Sequence, residues 1–190
     1  WMDHALWPQM TTRLYIDQTG DVEILERTAS YFKDAQVMRG TEIDGEWQSE
    51  QGSLLRTKEG KIYKGSILEH LLLEQLTAFY DVGVHNIYRL RGADWNDALD
   101  MAAENGESVA FTCAYAGNLR ELAAMIALLD KQNPGRSIEL LEEIAPLLDT
   151  SPSLFDSVAN KREVLNRYMG SCLHNVSGRK ITVKLTDLAH

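Results

Sequence analysis

One short segment of the sequence gathers most of the side chains that could do chemistry. Between Arg91 and Asp100 the chain carries three carboxylates, an amide and an indole. The carboxylates of Asp94, Asp97 and Asp100 recur at every third residue, so a helix would place neighbouring Cβ atoms about 5–6 Å apart on one face. Such crowding raises the pKa of a carboxyl, as a general acid requires. The spacing predicts proton transfer here; an acid-rich helix start that only caps the helix is the alternative.

The indole of Trp95 makes a sugar a fitting substrate for such an acid. A pyranose ring has an apolar face of C–H groups and a rim of hydroxyls, and an aromatic side chain packs well on the apolar face. Trp95 could cover that face, while Asn96 and the carboxylates not used in proton transfer bind the hydroxyls. We therefore expect a carbohydrate-binding site.

A calcium-binding loop is a second interpretation of the same segment, and the sequence argues against it. Asp94 and Asn96 fit the first two ligand positions of such a loop. Ala98 then stands where an oxygen ligand is needed, Leu99 replaces the required glycine, and Asn105 replaces the bidentate glutamate. We therefore predict no metal ion at this site.

Charge and composition limit the class of partner. The chain has 190 residues, a formal net charge of −9 and a sequence pI of about 5.0. Nucleic-acid-binding proteins usually have a clustered basic face, so an acidic chain argues against a nucleic-acid partner. A small phosphorylated substrate stays compatible, because one local basic site is enough to bind it.

Cysteine usage and hydropathy predict a cytoplasmic protein. Cys113 and Cys172 lie in apolar helical stretches, outside any CxxC or Cys/His spacing, so we expect buried free thiols rather than a disulfide or zinc site. No apolar run approaches the roughly 18–20 residues that span a bilayer, and no signal-peptide pattern is visible. We therefore expect no membrane partner.

Hydrophobic periodicity predicts an all-α protein whose helices are joined by loops of very different length. Helices are expected over residues 6–19, 22–25, 66–80, 137–148 and 153–172, and one long helix or a helix pair over residues 107–130. Gly20 can provide a left-handed end for the first helix, and Ser66 with Glu69 fits a capping box. The connection 33–65 is long and rich in glycine, with a weak hairpin signal at Glu59-Gly60, and residues 181–185 alternate like a strand that has no evident partner. Helices with long loops at one end are typical of an α/α toroid, although any helical array would give a similar pattern.

The acidic segment also resembles a known family signature. Residues 92–97 read Gly-Ala-Asp-Trp-Asn-Asp, and residues 106–109 read Gly-Glu-Ser-Val. In this order and spacing they resemble glycoside hydrolase family 94, the cellobiose, chitobiose and related β-glucoside phosphorylases. Residues 3–7 and 19–21 are similar to the family's Asp-x-x-Leu-Trp helix that ends in Thr-Gly-Asp. The variant at residues 98–100 looks most like the branch that acts on β-1,2-linked glucans.

The resemblance implies roles for particular residues. Asp97 would be the general acid, Trp95 would contact the donor sugar, and Asp94 and Asn96 would support substrate binding. Glu107 would cap or hold the motif helix. The resemblance gives no role to the five histidines, which we interpret as packed or surface side chains: His4, His70, His85, His174 and His190.

Two arginines flank the motif without a role in the family signature. Arg89 and Arg91 could neutralise one of its acids, and a solvated surface position is an equal alternative.

The family's reaction explains why a single acid is enough. An inverting hydrolase needs an acid for the leaving oxygen and a base for water. Inorganic phosphate is already an anionic nucleophile and needs positioning rather than deprotonation. Phosphate is thus the implied co-substrate of a β-linked glucose oligosaccharide, α-glucose 1-phosphate the product, and no other cofactor is expected.

The resemblance also implies that the chain is incomplete. The family works on an (α/α)6 barrel of about twelve helices, whereas about six fit here. We expect residues 1–190 to be a single partial barrel domain cut from a longer polypeptide. It would have little activity alone and would associate with itself or with the rest of its barrel through an apolar face. The family's phosphate-binding residues lie beyond the matched region.

Three other functions remain open at the level of sequence. A hydrolase on the same toroid would place a second carboxylate about 6.5–9.5 Å from Asp97. The chain could also be the phosphorylase module of a cyclic glucan synthase. A non-catalytic helical interaction module that kept the motif is the third.

Overall fold

Helices dominate the chain in a computed structural model that describes residues 3–91, 102 and 104–190. The α-helices in these residues are α1 (Leu6–Thr19), α2 (Ile67–Tyr80), α3 (Val109–Gln132), α4 (Pro152–Phe155), α5 (Val158–Ser171) and α6 (Leu185–Leu188). Short 3-10 helices cover Val22–Glu26, Met38–Gly40, Ser49–Gln51 and Glu142–Leu148.

Within the described residues, three two-stranded antiparallel sheets lie between the helices. The strands are β1 (Thr28–Ser30), β2 (Gln36–Val37), β3 (Glu42–Ile43), β4 (Lys64–Ser66), β5 (Ser137–Leu141) and β6 (Lys180–Lys184). β1 pairs with β4, β2 with β3, and β5 with β6. The described chain is therefore mostly helical with small sheets, and the all-α prediction holds only in this coarser form.

Several local signals of the sequence are confirmed. α1 ends at Gly20, whose φ of 73° is left-handed and whose N–H donates to Ile16 O at 2.8 Å. Ser66 caps α2, because its Oγ accepts the N–H of Glu69 at 3.0 Å. The hairpin at Gly60 forms as well, with antiparallel pairing of Arg56 and Ile62 on its two sides.

The helix predicted over residues 137–148 is wrong in its first half. Ser137–Leu141 is strand β5, with Ile138 and Leu140 facing the core and Glu139 facing solvent. β6 pairs with it from Ser137↔Lys184 to Leu141↔Lys180, which supplies the partner that the sequence did not reveal. The pairing joins segments far apart in sequence, so local periodicity could not detect it.

The helix predicted over residues 153–172 is divided into α4 and α5. Ser157 caps α5 by accepting the N–H of Asn160 at 3.2 Å, which marks a new helix start between the two.

The two cysteines differ in exposure. Both are free thiols, but Cys113 on α3 is exposed, so the prediction of a buried thiol is wrong there. Cys172 is partly buried at the end of α5, and burial raises the pKa of its thiol to about 11.

Neither a metal cluster nor a membrane span is found in the described residues. No group of three or more His, Cys, Asp or Glu side chains there is arranged to hold a metal ion. No helix within the same residues combines the length and the apolarity needed to cross a bilayer.

The main hydrophobic core lies between α2, α3 and α5 and is closed by β5 and the 3-10 helix Glu142–Leu148. Burying large aliphatic side chains removes apolar surface from water, which is the dominant stabilising contribution to folding. The fully or almost fully buried members include Leu25, Leu68, Leu71, Leu122, Met125, Ile126, Leu129, Leu140, Ile144 and Leu147.

A buried carboxylate connects this core to the strands. The side chain of Glu69, in the first turn of α2, is fully buried. It accepts hydrogen bonds from Tyr31 Oη at 2.8 Å, from Tyr63 Oη at 2.9 Å and from the backbone N–H of Leu141 at 2.7 Å. Lys180 Nζ lies 3.3 Å from Oε2 and supplies the positive charge. The Glu69 carboxylate therefore bonds residues at or beside the ends of β1, β4, β5 and β6, instead of folding back as in a capping box.

We predict that Glu69→Gln destabilises the protein by about 3 kcal/mol, since breaking a buried ion pair from one side leaves the other charge uncompensated. The amide also presents a donor to groups that are all donors. Urea unfolding measures the change. Glu163→Gln, at an exposed position of α5, is the matched control and should change the free energy of unfolding by less than about 0.5 kcal/mol. Equal effects of the two substitutions would contradict this role of Glu69.

The arm, residues 33–53, is held by a second buried carboxylate. The Asp44 side chain is 2% exposed and accepts from Lys33 Nζ at 2.9 Å, His174 Nδ1 at 2.7 Å and the Glu46 N–H at 2.9 Å. Burial acts to raise the pKa of Asp44, but these hydrogen bonds outweigh it and lower the pKa to about 2. Asp44 thereby ties the arm to the segment that follows α5.

Because the folded-state pKa of Asp44 lies below its ordinary value of 3.8, its stabilising contribution is complete above about pH 4. That contribution is lost as the pH falls towards 2. We predict that wild type and Asp44→Asn differ most in free energy of unfolding above pH 4 and converge near pH 2, as measured by urea unfolding across this range. The exposed Asp156→Asn variant should track the wild type throughout. A constant gap between wild type and Asp44→Asn at every pH would refute the prediction.

Candidate active-site loop

The predicted chemical residues belong to a segment whose two ends are described. Asp94, Trp95, Asn96 and Asp97 lie outside the described residues. The supporting residues Arg91 and Glu107 stand at the two ends of the segment and are described. We call residues 92–105 the active-site loop, after the function predicted from their sequence, and describe the residues that flank it.

Backbone hydrogen bonds close the base of the active-site loop. Leu90 N–H donates to Gly106 O at 2.8 Å, and Ser108 N–H donates to Tyr88 O at 2.9 Å. Arg89 and Glu107 form an antiparallel bridge between these two bonds. Residues 88–90 and 106–108, on the two sides of the loop, are therefore neighbours in the fold.

Both flanks of the loop are continuous with long helices. α2 ends at Tyr80, and a tight hairpin follows in which Gly83 N–H donates to Ile87 O at 2.8 Å. Asn86, at φ 62°, makes the turn, since asparagine tolerates the left-handed region better than most residues. On the other side Ser108 caps α3 by accepting the N–H of Phe111 at 3.2 Å. The loop thus connects two elements of the core.

Arg91 is anchored below the loop by a buried carboxylate that the sequence analysis missed. Its Nε and Nη2 donate to the two oxygens of Asp81, each at 2.8 Å. The Asp81 side chain is 4% exposed. Such two-point pairing fixes the plane of the guanidinium as well as its position. Arg91 is therefore neither a solvated surface side chain nor a free cation, and its described partner is Asp81 rather than a motif acid.

A second arginine reaches the same carboxylate from the arm. Arg39 Nε lies 2.7 Å from Asp81 Oδ2, an ion-pair distance without hydrogen-bond alignment, and its Nη2 donates to Tyr88 Oη at 3.3 Å. Met38 and Arg39 have positive φ values of 52° and 57°, which side chains rarely adopt. Backbone held in this region marks functional positions often enough to be informative. Through its contacts with Asp81 and Tyr88, Arg39 joins the arm to the base of the loop.

Glu107 is anchored on the opposite side of the base. Its Oε1 accepts the backbone N–H of His85 at 2.9 Å, and its Oε2 lies 2.6 Å from His85 Nδ1. Burial acts to raise the pKa of Glu107, but the two hydrogen bonds from His85 lower it below the usual value. Gly83 leaves space for this carboxylate, because a Cβ there would overlap it. Glu107 therefore binds the hairpin that follows α2, beside the base of the loop.

A cavity of about 380 Å³ opens beside the base of the active-site loop. Arg89 and Arg162 line it together with Glu104 and Asn105. Arg89 Nη2 donates to Glu104 O at 3.3 Å, so this guanidinium also holds the returning end of the loop. Two guanidiniums on one cavity could bind an anion, with Glu104 opposing it.

We predict that Gly83→Ala displaces Glu107 and destabilises the base of the loop by more than about 1 kcal/mol, because the added methyl overlaps the carboxylate. Amide hydrogen exchange at His85 should accelerate, since its N–H loses its acceptor. Gly117→Ala is the matched control: this glycine lies within α3 with open space around it, and alanine there should stabilise the helix by about 0.5–1 kcal/mol. Unchanged exchange at His85 in Gly83→Ala would refute the proposed contact.

Comparison with models of known protein families finds no match for this chain, and comparison with curated protein sequences finds none either.

Proposed function

We propose that the chain is part of the (α/α)6 barrel of an inverting β-glucoside phosphorylase that resembles glycoside hydrolase family 94. The observation that carries the proposal is the Gly-Ala-Asp-Trp-Asn-Asp run at residues 92–97, followed in family order by Gly-Glu-Ser-Val at residues 106–109. The closed base of the loop supports it, because an acid must be held within a fraction of an ångström of the productive geometry.

In the proposed reaction Asp97 is the group that transfers a proton. Its carboxyl donates to the glycosidic oxygen while a phosphate oxygen attacks the anomeric carbon from the opposite face. The bond from that carbon to the leaving sugar breaks, the leaving sugar keeps the proton, and α-glucose 1-phosphate forms with inversion. In the reverse direction the Asp97 carboxylate takes the proton back. Trp95 covers the donor sugar, and Asp94 and Asn96 bind its hydroxyls.

We infer that Arg91 and Glu107 are positioning residues, and their contacts beside the loop support this. Both charges of the Arg91–Asp81 pair are used at the base of the loop, and the Glu107 carboxylate is used by His85. Neither arrangement needs substrate. We infer that these residues affect Asp97 through the path of the backbone, so their loss should lower the rate without changing the identity of the acid.

The substrate class follows from the same proposal. The donor is a β-linked glucose oligosaccharide, with a β-1,2 linkage favoured by residues 98–100, and inorganic phosphate is the co-substrate. The chain supplies part of the barrel and has little activity without the remaining helices, with which it associates or in whose place it self-associates. Free thiols at Cys113 and Cys172 fit a reducing compartment such as the cytoplasm.

We predict that Asp97→Asn lowers phosphate release from α-glucose 1-phosphate by about a hundredfold or more, since the amide has nearly the same shape but gives no acidic proton. The assay uses β-linked glucose disaccharides as acceptors. It is run on this chain and on a longer polypeptide that carries the remaining barrel helices. Asp156→Asn is the control, because this exposed acid lies outside the segment and has no assigned role in binding or catalysis.

The outcomes separate the parts of the proposal. Release that depends on Asp97 but not on Asp156 supports the phosphorylase and its acid. Activity of this chain alone overturns the expectation that it is incomplete. Release of free glucose from the oligosaccharide without phosphate consumption replaces the phosphorylase by a hydrolase. A longer polypeptide with no activity on any acceptor, though folded, favours a non-catalytic module.

A further inference from the structure

A partly buried carboxyl on α2 has no compensating charge among the residues that the structure describes. Glu74 Oε2 is shielded from solvent and has no hydrogen-bond partner in the described part of the chain. Burial raises the pKa of Glu74 to about 7. Glu69, on the same helix, is more deeply buried yet has several donors and a lysine. The described residues thus leave the ionised form of the partly buried Glu74 carboxyl uncompensated.

A cavity of about 540 Å³ lies next to Glu74, between α1 and the start of α2. Its polar and aromatic lining consists of His4, Trp7, Thr11, Thr12, His70 and Glu74. The Trp7 side chain is about half exposed, and its ring N–H donates to Asp3 Oδ2 at 2.9 Å. That bond orients the indole, while its exposed surface borders the cavity. Lysine and arginine do not occur among the lining residues that the structure describes.

The charges around the cavity select the chemistry of an occupant. An anion would meet the Glu74 carboxylate without a lysine or arginine to balance it. His70 does not supply that balance, because burial lowers the pKa of its imidazole. Its ring also stacks on Tyr31, with 3.7 Å between the ring centroids, and its Nε2 lies 3.3 Å from Ala29 O. A cation would offset the desolvation of the carboxylate and would also be attracted by the face of an indole. The net charge of −9 further raises the local concentration of cations.

We propose that this cavity is a binding site for an organic ammonium group, with Glu74 as its counter-ion and Trp7 as its aromatic wall. The site goes beyond the phosphorylase reaction and does not depend on it. A small amine and a lysine side chain of another protein present the same chemistry, so the experiment must distinguish them.

Ionised Glu74 is required, so binding should depend on pH. Among the described residues, the titratable groups near this carboxyl are His4 and His70, which line the same cavity, and Tyr115 of α3, on which the Glu74 charge acts. Because the pKa of Glu74 is about 7, an alkylammonium ion should bind about tenfold more weakly at pH 6 than at pH 8. The ammonium itself keeps its charge over this range.

The test compares n-butylammonium with n-butanol, which has a similar shape and no charge, by NMR titration of the Trp7 indole at pH 8. We expect butanol to bind at least about tenfold more weakly than butylammonium. Glu74→Gln should weaken butylammonium binding by a similar factor, whereas the exposed Glu163→Gln should leave it unchanged. Equal affinity for the two ligands, or full affinity in Glu74→Gln, would overturn the proposal.

Two further measurements complete the test. Thermal unfolding checks that Glu74→Gln folds, as expected for loss of an uncompensated carboxyl; if it does not, the pH dependence of the wild type decides, and equal affinity at pH 6 and 8 counts against the site. An acetylated peptide with one central lysine identifies the source: tighter binding than butylammonium assigns the site to a protein lysine, and weaker binding to a small amine. Failure of this test leaves the Asp97 assay unaffected.

Discussion

The buried Glu69 carboxylate is the constraint on which the rest of the structure depends. A charge removed from water must be matched by donors in the interior, and each donor has to be brought by a different part of the chain. Here the donors come from Tyr31, Tyr63, Leu141 and Lys180, which stand at or beside the ends of four strands. Strands as short as these are marginal alone, so their positions follow from this carboxylate as much as from their own pairing.

α2 carries that constraint to the active-site loop. Glu69 lies in its first turn and Asp81 directly follows its last, so both ends of one helix are fastened by a buried acid. The first acid gathers the strands, and the second pairs with Arg91 at the base of the loop and with Arg39 from the arm. The core and the loop are thus coupled through a rigid rod about 20 Å long. A displacement of α2 would alter both networks together.

Features that depend on neighbouring residues could be predicted from the sequence, whereas contacts between remote segments could not. The left-handed end at Gly20 and the cap at Ser66 depend on neighbouring residues alone, and both formed as expected. The β5–β6 pairing and the Arg39–Asp81 contact join remote segments, and no periodicity records them. The sequence predicted only a capping-box role for Glu69, because the burial and the partners of this side chain are tertiary properties. The assignment of Asp97 came from the family resemblance, since spacing alone also allowed a helix cap.

The unequal environments of the two thiols have a practical consequence. Cys113 is exposed one turn into the helix that follows the active-site loop, while burial raises the pKa of Cys172 to about 11. Alkylating reagents attack the thiolate, so Cys172 should react slowly at neutral pH. A fluorophore or spin label can therefore be directed to Cys113 in the native sequence. The molecule carries its own attachment point for a reporter near the start of α3.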